Sequence, residues 1–548
     1  MKRIWQKKYL ITPCLGMAFL FQCPGNVWAT VNGEVSLTVN DSVKQAIAKT
    51  IVKEDLEKHL KIISSDAYEG RETGTKGQKL TAKYLADCFK GYNIEPLNNQ
   101  PEIVDGYFHQ YKLIKKQPLG ISIKTSKTTF AAFEDFYYNP RSVHDTNVAY
   151  SSIHFLGYGI NDTAYNDYKS IVIEENGIGI ILAGEPMDKH GQHFISGNQK
   201  PSSKAENSIK IKEASSQGLG CLFIIVPDIE QSINRYKSHY LQPTLSLLDG
   251  QNKKNPINCF YISYDMADEI LGLAKNNVAI SKLKKKITSK KLPQSQTFSL
   301  TTKIELISDR KHEIVTSENV MGFIEGGDKK EEIIILTAHY DHLGIKDSIV
   351  YNGADDDGSG TVALLELAEA FAKAKAMGYG PRRSILFMPV SGEEKGLLGS
   401  RYYTENPVFP LENTVANLNI DMIGRIDTNY KDDPNYVYII GADRLSQELH
   451  YINETANSSY TEIKLDYRFN HADDPNRFYY RSDHYNFAKN NIPIIFYFTG
   501  VHEDYHKPTD TIDKIDFNKM ENIARLIYFT AWELANRDER IKLDKKNN

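Results

Sequence analysis

The chain has 548 residues, 66 Lys+Arg against 70 Asp+Glu for a net charge of −4, and 41% hydrophobic residues. That length exceeds the ~250–300 residues at which a single core stops growing, so more than one core is expected. The balanced charge offers no basic field for nucleic acid, and disordered, collagen-like and coiled-coil classes fail on apolar content and the absence of a sustained repeat.

In chain order, Lys2, Arg3, Lys7 and Lys8 precede an apolar run from Tyr9 to Phe21, and Val27-Trp28-Ala29 follows. A basic head, a short apolar stretch and small residues at the end describe a secretory signal peptide over residues 1–29. The run is shorter than the ~20 residues a spanning helix needs, and Pro13 interrupts it. Gln22 before Cys23 fits lipid attachment poorly. The expected product is secreted or periplasmic, with no stable membrane insertion. Cys88, Cys221 and Cys259 remain, too few and too scattered for a disulfide framework, and Cys88 and Cys221 read as buried hydrophobes.

Residues 43–93 read as two helices around a polar, Gly-rich segment: Leu56, Leu60 and Ile63 recur at helical spacing, then Leu80, Tyr84, Leu85 and Cys88. From about 120 to 300 the character changes to strands and one short helix, with β-rich runs at Ile153–Gly159, Ile171–Ile173, Ile178–Leu182 and Cys221–Val226. After 315, strands and helices alternate. Ile333–Ala338 and Ile385–Val390 are continuous apolar runs, as in strands covered on both faces, and Met520, Ile523, Ile527 and Trp532 share one face of a closing helix. The expected fold class is α/β, a mixed and mostly parallel sheet flanked by helices, with a β-rich α+β insert. The expected domains are 30–118 and 306–548 for the main unit and 119–305 for the insert.

Ligands of open α/β sheets bind beyond the carboxyl ends of strands. Here those ends carry His339-Tyr340-Asp341, the loop Gly353-Ala354-Asp355-Asp356-Asp357-Gly358, Glu393-Glu394, Asp421, and Asp504-Tyr505-His506. Imidazole with carboxylate, and no thiolate cluster, is a ligand set for zinc. Two cations are expected: His339 on one, His506 completing the second, Glu394 and Asp421 ligating one ion each, and Asp355 bridging both with room for a bridging water. Asp341 is expected to orient the His339 ring by hydrogen bond. Adjacent residues point in different directions, so Glu394 can coordinate while Glu393 acts as general base. Tyr505 can donate to a developing oxyanion. The stretch from Asp355 to Glu366 has the spacing of a calcium loop, but the extended chain before it does not supply the entering helix. Ser482-Asp483-His484 lacks the elbow of a serine hydrolase, leaving Asp483 and His484 as supporting or substrate-contacting groups.

These motifs together resemble the M28 zinc metallopeptidases: His339-x-Asp341, the Gly-Ala-Asp loop, Glu393-Glu394 before Lys-Gly-Leu-Leu-Gly-Ser, Asn419-Ile-Asp421, and Tyr505-His506-x-Pro-x-Asp510, with Glu69–Gly74 near the start. The middle block, through Gly157-Tyr158-Gly159 and the Gly218-Leu-Gly220-Cys221 stretch, resembles an inserted protease-associated (PA) domain. The resemblance implies two Zn2+ ions per chain on His339, Asp355, Glu394, Asp421 and His506, with Glu393 as base and Asp341 supporting His339. It implies peptide substrates with a free N-terminus; cobalt or manganese are other candidate occupants. Alternatives on the same scaffold are a carboxypeptidase, for which Arg425, Arg477 and Arg481 are candidate carboxylate holders, a glutaminyl cyclase, or a metal-binding protein without catalysis. Residue preference, oligomeric state and the role of the insert are not written in these motifs.

Overall fold

The computed structural model describes residues 33–117, 120–139, 142–144, 146–248, 257–308 and 312–544. The signal-peptide reading of residues 1–29 lies outside them. The chain forms two compact units, one running up to His109 and from Glu318 onward, the other Gln110–Ser317. The divisions fall at 109/110 and 317/318 rather than at 118/119 and 305/306, within the strands Phe108–Lys116 and His312–Val320.

The first unit is built on seven strands: β1 (Gly322–Ile324), β2 (Lys329–His339), β3 (Arg383–Val390), β4 (Thr414–Ile420), β5 (Tyr436–Ile440), β6 (Lys464–Asp466) and β7 (Ile494–Phe498). Their order is β1-β3-β2-β4-β7-β5-β6. The four central strands β3, β2, β4 and β7 are parallel, while β1 pairs antiparallel to β3 and β5 antiparallel to β7, and β6 runs parallel to β5. Successive side chains of β2 go to opposite faces: Ile334 and Leu336 enter one core cluster, Ile333 and Ile335 the other. Both faces are buried, which is why the run contains no polar alternation; each such side chain contributes about 1.5–3 kcal/mol.

Helices α1 (Gly33–Ala48), α2 (Lys53–Ile63), α3 (Lys76–Gly91), α4 (Gly360–Ala376), α5 (Leu398–Glu405), α6 (Gln447–Tyr460), α7 (His484–Ala488) and α8 (Phe517–Asn536) flank the sheet. Asp516 caps α8 by accepting from the Lys519 amide, and Met520, Ile523 and Ile527 are buried, as their spacing predicts. Tyr403 of α5 and Phe487 of α7 pack on the opposite face. No helix among the described residues is long and apolar enough to cross a membrane.

The second unit holds an eight-stranded mixed sheet whose central strands Thr146–Phe155, Ile178–Leu182, Cys221–Ile225 and Asn258–Ile262 are parallel. It is richer in helix than the sequence suggests. Among the described residues it carries four: Asn207–Ser216, Ile229–Tyr240, Tyr264–Leu271 and Ile280–Lys290. The last reads as a polar Lys-rich stretch, yet Ile280, Leu283 and Ile287 recur at helical spacing and are all buried. Ile171–Ile173 is not a strand; Val172 is 88% exposed, and Ile171 and Ile173 rest against a small core as loop residues.

Candidate metal centre

His339 is the last residue of β2, and its buried ring meets groups that follow two other strands and one from the Asp loop. Its Nε2 lies 3.3 Å from Asp356 Oδ1, 3.6 Å from Asp421 Oδ1 and 3.9 Å from Glu393 Oε2. The opposite ring nitrogen, Nδ1, faces the backbone carbonyl of Asp341 at 3.0 Å, and the Asp341 carboxylate stands off at 3.9 Å. The ring is therefore oriented by a peptide carbonyl and not, as expected, by the Asp341 side chain. That carboxylate instead accepts from the Thr73 hydroxyl at 2.6 Å and from the Glu393 amide at 3.2 Å, tying the N-terminal segment to the turn that carries the two glutamates.

Asp355 does not bridge. Its carboxylate accepts from the Gly424 amide at 2.6 Å and faces His502 Nε2 at 3.3 Å, away from His339. The next residue, Asp356, occupies the shared position: Oδ1 faces His339, and Oδ2 lies 3.0 Å from His506 Nε2. Asp510 fixes this register by accepting from the amides of both Asp355 and Asp356. Asp357 accepts from the amides of His339, Gly360 and Met422, joining the ends of β2 and β4 beneath the site. The three consecutive acids thus do three different jobs.

Glu394 reaches His506 Nε2 through Oε2 at 3.2 Å and His342 Nδ1 through Oε1 at 2.9 Å. Two groups able to hold a cation result, His339–Asp356–Asp421 and His342–Asp356–Glu394, with Asp356 common to both. His506 closes the second from a rim position, its side chain 37% exposed and its ring stacked on Tyr505. His342 is missing from the sequence reading, which stopped at the His-x-Asp pattern; the signal was a further imidazole directly after Asp341.

Hydrogen bonds pre-set these groups. Thr337 donates to Asn419, Asn419 to Ser482, and Ser482 to Asp421 Oδ2, a relay from β2 through β4 to the first group. Ser482, rather than its neighbours, is the useful member of Ser482-Asp483-His484: Asp483 accepts from Ser400, and His484 is buried on Phe496 and bonded to the Tyr479 carbonyl. The Glu69–Gly74 motif also acquires a reason. The fully buried Arg71 guanidinium donates to the carbonyls of Tyr340, Asn352 and Gly353, clamping β2's exit to the Asp loop. Gly70, at φ +63°, passes where a Cβ would stand 2.4 Å from the Tyr351 carbonyl oxygen.

The electrostatics ask for positive charge. Burial disfavours protonating His339, yet the carboxylates of Asp421, Glu393 and Asp356 push its pKa well above the imidazole norm. Burial opposes charge on His506 too, but Asp356 and Glu394 raise it to about 10. Glu393 goes the other way: burial, with Glu394, Asp483 and Asp421 adding to it, holds its pKa well above the carboxylate range. Buried oxygens and nitrogens facing the shared position, Asp356 Oδ2, Glu394 Oε1 and His342 Nδ1, have no acceptable hydrogen-bond partner. Unpartnered buried polar atoms are costly, and a hard or borderline divalent cation satisfies this oxygen and nitrogen set. The described residues therefore fit two such ions.

Beside the centre opens a cavity lined on its apolar side by Met422, Phe478, Phe496, Phe498 and Val501, with Tyr505 and Arg481 also lining it. Arg425 is paired with Asp504 at 2.9 Å and Arg477 lies over Tyr480; of the three arginines only Arg481 lines this cavity.

Residues 319–531 match the model of Peptidase family M28. A probable leucine aminopeptidase of Arthroderma otae is 32% identical over 214 residues, covering 38% of this chain and 55% of that protein. A probable zinc metalloprotease of Pyrenophora teres f. teres is 26% identical over 281 residues, covering 44% and 56%. The chain thus spans just over half the length of these curated relatives. The solved aminopeptidase from Aneurinibacillus sp. strain AM-1 shares the fold, with a TM-score of 0.51 at 18% identity over 92% of this chain and 100% of that one. With the two His–carboxylate groups at the ends of its parallel strands, the segment 319–531 belongs to Peptidase family M28.

Proposed function

We propose that this chain is an exported metallo-aminopeptidase that uses two zinc ions to hydrolyse the first peptide bond of substrates with a free N-terminus. The observation that carries the reading is the pair of potential cation groups sharing one carboxylate, Asp356, which with His339 and Asp421 lines a cavity that also has an apolar wall. His339, Asp356 and Asp421 would hold one ion; Asp356, Glu394 and His506 the other. When bound, such a pair polarises the scissile carbonyl and lowers the pKa of water. The relatives' names, zinc metalloprotease and leucine aminopeptidase, support zinc and the aminopeptidase reading. The basic and apolar start of the chain supports export, and the middle unit is read as the PA insert.

The chain's own groups supply the rest. Glu393 lines the cavity beside Asp356 and Asp421, where its carboxylate can take a proton and then pass it to the leaving amine. Burial, reinforced by Asp356 and Glu394, also raises the Tyr505 phenol pKa, so it keeps its proton and can donate to the developing oxyanion. Met422, Phe478, Phe496 and Phe498 exclude water and receive an apolar first side chain. The surrounding carboxylates suit a free α-ammonium group.

The test is residue release from matched peptides with free and acetylated N-termini. Release from the free form alone is expected; equal cleavage of both contradicts the proposal. Arg481 favours one competing reading, a carboxypeptidase holding the substrate's terminal carboxylate. Loss of the last residue in the same assay would establish it.

A further inference from the structure

His342 is fully buried, and neither ring nitrogen has a hydrogen-bond partner. A neutral imidazole carries one donor and one acceptor, so burying it with both unused needs a compensating contact. Its position is held from the backbone, where the His342 amide donates to the Arg71 carbonyl at 3.3 Å, and the ring is pinned behind Gly353. The polar atoms around Nδ1 are Glu394 Oε1 at 2.9 Å and Asp356 Oδ2 at 3.8 Å. The nearer is at ion-pair distance, yet the ring nitrogen and both oxygens are left without a well-formed hydrogen bond. Three buried atoms that converge without bonding one another are the arrangement expected around a common ion.

We propose that His342 is a ligand of the second cation, donating Nδ1, so that this position is held by two imidazoles and two carboxylates. The inference rests on the two-cation reading above and deepens it. The two imidazoles differ in kind. His506 stands at the rim with a side chain 37% exposed, whereas His342 anchors the ion from the protein interior at 0% exposure. The second ion would then be held even when the rim segment moves, with His506 the replaceable partner.

The experiment is calorimetric titration of Zn2+ into chelator-stripped full-length protein, wild type, His342→Ala and His342→Asn, with circular dichroism confirming the fold. Wild type is read first: two binding events are expected, and fewer than two overturns the two-cation reading itself. Given two, His342→Ala should keep the first event and weaken the second by more than tenfold, with His506→Ala weakening it less. Unchanged binding in His342→Ala overturns the proposal. So does wild-type binding in His342→Asn beside weakened binding in His342→Ala, because that pattern assigns His342 to hydrogen bonding of Glu394. Where a variant does not fold, a crystal of the zinc-loaded wild type decides: a Zn–Nδ1 distance near ~2.1 Å supports ligation, and one beyond hydrogen-bond length refutes it.

Discussion

Both units of the molecule place buried acids just after parallel strands, but they treat those acids differently. In the second unit, Glu185 follows the strand Ile178–Leu182 and is 2% exposed. It accepts from the amides of Ile195, Ser196 and Ser202 and from the Ser202 hydroxyl, and these bonds overcome burial to lower its pKa. Its charge is spent on organising a loop. In the first unit, Asp356 is 3% exposed and the Glu394 side chain 5% exposed, but both keep oxygens with no donor, facing imidazoles. The strand architecture is shared; what separates a structural acid from a chemical one is whether the protein supplies its donors.

The largest effect should come from breaking the shared position. Asp356→Asn should reduce turnover to background and weaken both ions in a zinc titration, whereas Asp355→Asn should leave two ions bound. Asp355→Asn losing both, with Asp356→Asn intact, would return the bridge to Asp355. Next, Glu393→Gln should keep both ions and lower kcat by about 10²–10⁴-fold, the range of a lost general base. Loss of metal with turnover preserved would reassign that side chain.

On the other side of the comparison, Glu185→Gln should lower the stability measured by denaturant unfolding by about 1–3 kcal/mol, the cost of weakened charge-assisted bonds. Metal content and turnover should not change.

Glu366 of α4 is a third kind of buried acid, with neither donors nor a place in the metal centre; both carboxylate oxygens are unpartnered, and His59 Nε2 is 3.7 Å away. Burial, with Glu369 and Asp55 nearby, raises its pKa to about 8 from an unfolded value near 4.5. The folded state then binds more protons than the unfolded state between those values, so stability falls as pH rises through that window. Above about pH 8 the penalty is complete. Glu366→Gln should therefore raise Tm by a few degrees at pH 9 and by little at pH 4. An equal shift at both would point to packing instead.

Much of the centre was legible because strand ends are easy to find: Ile333–Ala338 and Ile385–Val390 announce where His339 and Glu393-Glu394 must sit. The Asp355–Asp357 loop was not, because three consecutive acids carry no periodicity and nothing local says which one turns inward. The amides of Asp355 and Asp356 settle it by bonding Asp510, a residue from the far end of the chain. The same distance hid the role of Arg71, whose acceptors lie on β2's exit and on the Asp loop. The helix Ile280–Lys290 was obscured differently, its three apolar positions masked by a lysine-rich composition.

The central claim is a pair of cations around Asp356. Mass-spectrometric metal analysis of the purified, desalted full-length chain tests it most directly. Two divalent ions per chain, both displaced by chelator and restored by Zn2+, are predicted. A chain that saturates at one ion, or takes up none, would contradict it.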